Sequence, residues 1–170
     1  MPKKEYIVDL SNLFPSEKLL LVEKSRQMMV TWIACAYALW VALLHDGKRV
    51  FLQSKKEKDA NAILDRVKLI YDHLPESMKL KYPTDPPAYC RMKWGKRNSI
   101  IEAIPQGADQ LRQYTASLII SDEMAFQEAA EEAFIACKPS LTGGGQFIGI
   151  STPNFKNFWY RCARDIEGIN

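Results

Sequence analysis

Two apolar runs of strand length, Lys18 to Glu23 (KLLLVE) and Arg49 to Gln53 (RVFLQ), flank a longer one, TWIACAYALWVALLHDG, from Thr31 to Gly47. The middle run exceeds a strand and reads as a helix. It is apolar nearly all round, which suits burial against a sheet, and Gly47 follows where a left-handed C-cap is wanted. Strand, helix and strand in this order predict a parallel βαβ unit. From Lys58 to Leu74 the apolar residues Ala60, Ile63, Leu64, Val67, Ile70, Tyr71 and Leu74 recur at spacings of three and four, with charges between them. This pattern predicts an amphipathic surface helix, stopped by Pro75. Pro83, Pro86 and Pro87 predict an extended connection. Tyr89 to Trp94 and Ser99 to Ile104, around the turn-like Gly95 to Asn98, predict a hairpin or two short strands.

The second half has the same grammar. Ser117 to Ser121 (SLIIS) and Gln146 to Ser151 (QFIGIS) read as buried strands, Ala129 to Lys138 and Asn157 to Ile166 as helices. Gly143 to Gly145 is the only glycine run; it precedes a strand, so it reads as a helix-to-strand connection and not as a phosphate loop. Apolar strands alternating with helices imply a three-layer α/β fold with a mostly parallel sheet. Functional residues are expected just beyond the carboxyl ends of such strands.

Composition narrows the class. The 170 residues are 47% hydrophobic and 25% charged, which fits one soluble domain and excludes disorder, collagen and coiled coil. The longest apolar run, Trp32 to Leu44, has thirteen residues, well short of the roughly 20 that cross a bilayer. With no secretion signal the chain reads as intracellular. Cys35, Cys90, Cys137 and Cys162 are widely spread and have only His45 and His73 to join them, so buried reduced thiols are expected in place of disulfides or a zinc site. The histidines stand at predicted helix ends, where capping or exposure explains them. A net charge of +3 permits nucleic-acid contact without requiring it.

The chemistry lies after three strands. Between the first strand and the long helix stands Lys24-Ser25-Arg26-Gln27-Met28-Met29-Val30-Thr31. A phosphate-binding loop belongs there: backbone N–H groups and a helix N-terminus face phosphate, a cation reaches it, and a hydroxyl binds Mg²⁺. Thr31 holds the hydroxyl position, but Val30 stands for the usual lysine, and Met29 and Lys24 for the two glycines. After Ser117 to Ser121 come Asp122 and Glu123. Adjacent carboxylates suit a nucleotide hydrolase, the first holding Mg²⁺ and the second deprotonating water; alternatively Asp122 only caps a helix. After Gln146 to Ile150 come Ser151-Thr152-Pro153-Asn154, a phosphate sensor or an ordinary turn.

Together these segments resemble the ATPase domain of the large subunit of tailed-phage DNA-packaging terminases. Ser25 to Thr31 match five of the seven positions of that family's S-R-Q-x-G-K-[ST] loop, the free position included. Leu118 to Glu123 resemble its acidic strand, Gly149 to Asn154 its coupling segment, and Arg112 in Gly107 to Arg112 the arginine ahead of the acidic strand. The resemblance covers about residues 18–160. It implies a RecA-like P-loop ATPase core that hydrolyses ATP with Mg²⁺ to drive double-stranded DNA into a capsid. In that reading Lys24, which takes the place of a loop lysine moved to the front, and Arg26 contact phosphate within the loop 24–31. Thr31 and Asp122 hold Mg²⁺, Glu123 is the general base, Arg112 is an arginine finger to a neighbouring subunit, and Ser151, Thr152 and Asn154 couple hydrolysis to movement. It further implies a ring homo-oligomer, a small terminase subunit and a portal protein as partners, the host cytoplasm as location, and no membrane.

The nuclease domain of the family is expected to be absent, since the chain ends about twenty residues past the coupling segment. Residues 1 to 17 contain no glutamine of the kind that contacts adenine in the family. A single ATPase domain is therefore expected, as a fragment, split gene product or prophage remnant. Two other readings remain, a superfamily 2 helicase fragment and a degenerate nucleotide-binding or interaction domain without hydrolysis. Lys55, Lys56 and Lys58, and Arg91, Lys93, Lys96 and Arg97 around Trp94, read as a DNA-tracking surface or as solvated faces.

Overall fold

The computed structural model describes residues 4–86, 88–107 and 109–164; Pro87, Ala108 and residues 165–170 lie outside it, as do 1–3. In chain order the elements are α1 (Glu5–Ser16), β1 (Leu19–Glu23), α2 (Val30–Leu44), β2 (Arg49–Ser54), α3 (Glu57–Asp72), α4 (Glu76–Lys81) and β3 (Arg91–Trp94), followed by β4 (Ser99–Pro105), α5 (Asp109–Gln113), β5 (Leu118–Asp122), α6 (Ala130–Thr142), β6 (Gln146–Ser151) and α7 (Phe158–Ala163). They form one sheet in the order β1-β6-β5-β2-β4-β3, parallel except for β3, which runs antiparallel to β4. The predicted α/β class and mostly parallel sheet are thus the observed ones. The strands β1 and β2 do belong to one parallel sheet, but β6 and β5 lie between them.

Alternation along the strands builds two cores. Val50, Leu52, Leu118, Ile120, Ile148 and Ile150 face α2 and α3, while Phe51, Ile119 and Phe147 face α6 and α7. Both sheet faces are covered there, which is why these strands are nearly continuous apolar runs. At Gly149 a Cβ would come within 2.7 Å of Leu21 Cδ2 and 2.9 Å of Met124 Sδ. The missing side chain is what lets Met124, the residue after Glu123, sit down on the sheet.

Several elements differ from the sequence expectation. The helix α1 was not anticipated: its Phe14 is fully buried, and Ile7 and Leu10 pack on the same core. The segment after Pro75 is not wholly extended: α3 closes two residues earlier with His73 as C-cap, and Pro75 serves as N-cap of α4. The helix α6 runs four residues past Lys138, through Pro139. Its last turn is tied to the following chain and to the approach to β5 by Gly145 N–H donating to Ser140 O at 2.8 Å and Ala116 N–H to Ser140 Oγ at 3.0 Å. The last helix begins after Asn157, whose side chain accepts from Tyr160 N–H at 3.2 Å, and its predicted end at Ile166 lies outside the described residues. His45 and His73 are the C-caps of α2 and α3, and Gly47 has the left-handed φ expected of it, +67°.

Candidate functional site

The loop after β1 closes onto β6, with Lys24 N–H donating to Ser151 O at 3.0 Å. Gln27 and Met29 take left-handed φ values of 63° and 57°. A residue with a Cβ pays about 1–2 kcal/mol for that conformation. The turn at Met29 delivers its carbonyl to Trp32 N–H at 3.0 Å and Ile33 N–H at 3.2 Å, which starts α2. The chain therefore adopts a glycine-type loop conformation without a glycine. Ser25, Arg26 and Gln27 are exposed, whereas Met28 packs on the core and Val30 is buried, so these last two present only backbone to a ligand.

Thr31 on the first turn of α2 and Asp122 at the end of β5 are 91 positions apart in sequence and meet in space. The threonine hydroxyl lies 3.2 Å from both carboxylate oxygens of Asp122. Asp122 is only 7% exposed. Burial pushes its carboxyl above the ordinary range and the neighbouring Glu123 adds to that, while Lys24 and the Thr31 hydrogen bond pull it back. Glu123 itself is left-handed, with φ 51°, which turns its side chain out of the strand. Its Oε1 is 2.9 Å from Lys24 Nζ, an ammonium whose side chain is 8% exposed.

The third segment is wired to the first two. Ser151 is fully buried and its hydroxyl accepts from Ala125 N–H at 3.0 Å and donates to Thr152 O at 3.0 Å. The carbonyl of Ala125 accepts from Asn154 Nδ2 at 3.2 Å and Asn157 Nδ2 at 2.6 Å. Gln127 Nε2 donates to Ser121 Oγ at 3.0 Å and Asp122 O at 2.9 Å. Hydrogen bonds thus link the backbone after Glu123 to residues 151–157.

These groups border a cavity of about 490 Å³ lined by Arg26, Thr31, Asp122, Glu123 and Thr152, and on its far wall by Ser54, Lys55, Asp59 and Arg66. The far wall was missed at the sequence level. Lys55 reads from sequence as part of a DNA-tracking surface or a solvated face, and Arg66 as one of the charges between the apolar positions of a surface helix; only the packing of α3 on β2 and β4, with β2 next to β5, brings them here. Arg112 is not in this cavity: it lies on α5, 56% exposed, with Glu132 at 3.2 Å and Asp109 at 3.8 Å. The aromatic of the second basic group is unavailable for stacking on a base, because Trp94 is wholly buried against Tyr71. Of the cysteines, Cys35 and Cys137 are buried, which pushes both thiols up to about 12, and Cys90 and Cys162 are partly exposed.

No family model matches the chain. Among solved structures, it superposes on the large terminase ATPase domain of Thermus phage P74-26 with a TM-score of 0.68 at 20% identity, covering 94% of this chain and 68% of that one. A variant of the same domain gives 0.62 at 21%, covering 84% and 62%. The HK97 bacteriophage large terminase gives 0.67 at 11%, covering 89% of this chain and 33% of that one. The class defined here is an α/β, mostly parallel RecA-like core with the loop 24–31, the acidic pair and residues 151–154 at one edge. More particularly, the chain has the fold of phage large terminase ATPase domains, and spans about a third of the HK97 protein. Among the described residues, no helix is long and apolar enough to cross a membrane.

Proposed function

We propose that this chain is an ATP-hydrolysing motor domain of a viral DNA-packaging terminase. The observation that carries the reading is the meeting of Thr31, Asp122 and Glu123 at one cavity, with Lys24 ion-paired to Glu123, from segments that the sequence separates by about ninety residues. A structure of a similar large terminase, from a thermophilic bacteriophage, is in complex with ADP, which supports a nucleotide as the ligand here.

The Thr31 hydroxyl and Asp122 carboxylate are hard oxygen donors of the kind Mg²⁺ takes, and a cation would offset the charge that burial disfavours on Asp122. Such an ion, when bound, neutralises charge developing on the phosphate oxygens. Glu123 accepts the proton of the attacking water, after Lys24 exchanges its carboxylate for phosphate. Arg26 adds a second cation. Ser151, Thr152 and Asn154 pass the change to the surface that moves double-stranded DNA. Ring assembly, a small subunit, a portal and the host cytoplasm belong to the same proposal.

Glu123→Gln should leave Mg-ATP binding near wild type while turnover in the assembled protein falls by about 10²–10⁴. Equal loss of binding and turnover would make Glu123 structural. The 2.9 Å Lys24–Glu123 pair also suits a nucleotide-binding domain without hydrolysis, and that reading predicts wild-type binding with no turnover to lose.

A further inference from the structure

Four arginines among the described residues are partly shielded from solvent: Arg49, Arg66, Arg97 and Arg161. Three have a carboxylate close by, Glu102 at 2.6 Å, Asp46 at 3.1 Å and Glu131 at 2.6 Å. Among the described residues, Arg66 has no carboxylate within ion-pair distance. It has the ring of Trp32 at 5.9 Å from its guanidinium carbon, and it faces the cavity that Thr31, Asp122 and Glu123 border. Lys55 lines the same wall from the end of β2, and among the described residues its ion-pair partner is Glu128, at 3.9 Å and itself 85% exposed. A partly desolvated guanidinium without an anion is costly, and it lowers that cost by taking one from solution.

We infer that Arg66 and Lys55 form an anion subsite for the terminal phosphate of a nucleoside triphosphate, and for the phosphate ion cleaved from it, on the wall opposite the loop 24–31. The inference rests on the nucleotide reading above and adds a selectivity to it. The loop and Thr31 serve phosphates that ATP and ADP share; the α3 wall serves the one that only ATP has. Asp59 shares the wall but is exposed, in the first turn of α3, where a carboxylate favours the helix start. Discrimination therefore comes from a guanidinium that holds two phosphate oxygens and an ammonium beside it.

The test uses the full chain with calorimetric titration of a non-hydrolysable ATP analogue and of ADP. Arg66→Gln should weaken the ATP analogue by about tenfold or more, the strength of one charge-assisted hydrogen bond, and leave ADP within about twofold. Arg66→Lys should recover part of the loss. Lys55→Gln should weaken the same ligand selectively, and its surface position keeps it informative should Arg66→Gln unfold. Parallel loss of both nucleotides, or loss of neither, overturns the subsite while leaving nucleotide binding intact. A wild-type chain that binds neither nucleotide overturns the functional reading as well.

Discussion

Asp122 is the residue at which burial and charge conflict most directly. Its folded carboxyl titrates above the ordinary aspartate range, chiefly through burial. The fold therefore favours the protonated form, so this group's contribution to stability is full below the ordinary range and is lost as pH rises through the raised value. Asp122→Asn keeps the shape and a contact for Thr31 without the charge. In thermal unfolding without Mg²⁺ or nucleotide, the variant should melt above wild type at pH 7, with the gap shrinking as pH falls toward the ordinary aspartate range. A variant that melts lower at pH 7 would mean that Thr31 and Lys24 outweigh burial. The carboxylate pair was legible because both residues follow an apolar run directly. The Lys24–Glu123 contact was not: it depends on a left-handed turn at Glu123, and glutamate gives no local signal for one.

The loop that starts α2 carries its strain locally. Met29 holds a left-handed φ of 57° at the N-cap, a position the resemblance fills with glycine. Relief of about 1–2 kcal/mol of left-handed strain exceeds the roughly 0.5–1 kcal/mol of entropy that glycine loses on folding. Met29→Gly should stabilise the chain by about 0.5–1 kcal/mol, or a melting midpoint about 1–4 °C higher for a chain of this size. Denaturant midpoints check it, and a lower midpoint would show that the methionine side chain contributes more by packing than its backbone costs. Long elements read well from pattern: α2 is apolar throughout and α3 amphipathic over four turns, so spacing alone exposes them. The helices α1 and α4 escaped because α1 offers only Ile7, Leu10 and Phe14 as a stripe, and α4 is one short segment behind a proline read only as a stop.

Across the whole molecule, the residue without a place in its own cavity is Arg112, exposed on α5 beside Glu132. As a finger to the next subunit it would be worth about 10³–10⁵ in rate, so turnover should rise more than linearly with protein concentration. Rings mixed from Arg112→Ala and Glu123→Gln subunits should regain turnover that neither variant has alone, since an Arg112→Ala site borrows its neighbour's arginine. No recovery in confirmed mixed rings would confine Arg112 to its own subunit or to structure. Sequence by itself determined which side chains stand at the strand ends, because a short apolar run and the polar residues after it are local and set by alternation along the backbone. Strand order belongs to the tertiary structure alone. It depends on which distant apolar faces pack together, and no local pattern encodes that. Placing β6 between β1 and β5 is what bonds Lys24 to Ser151 and Ser151 to Ala125, and placing β2 beside β5 is what swings α3 over the cavity with Arg66 and Lys55 on its wall.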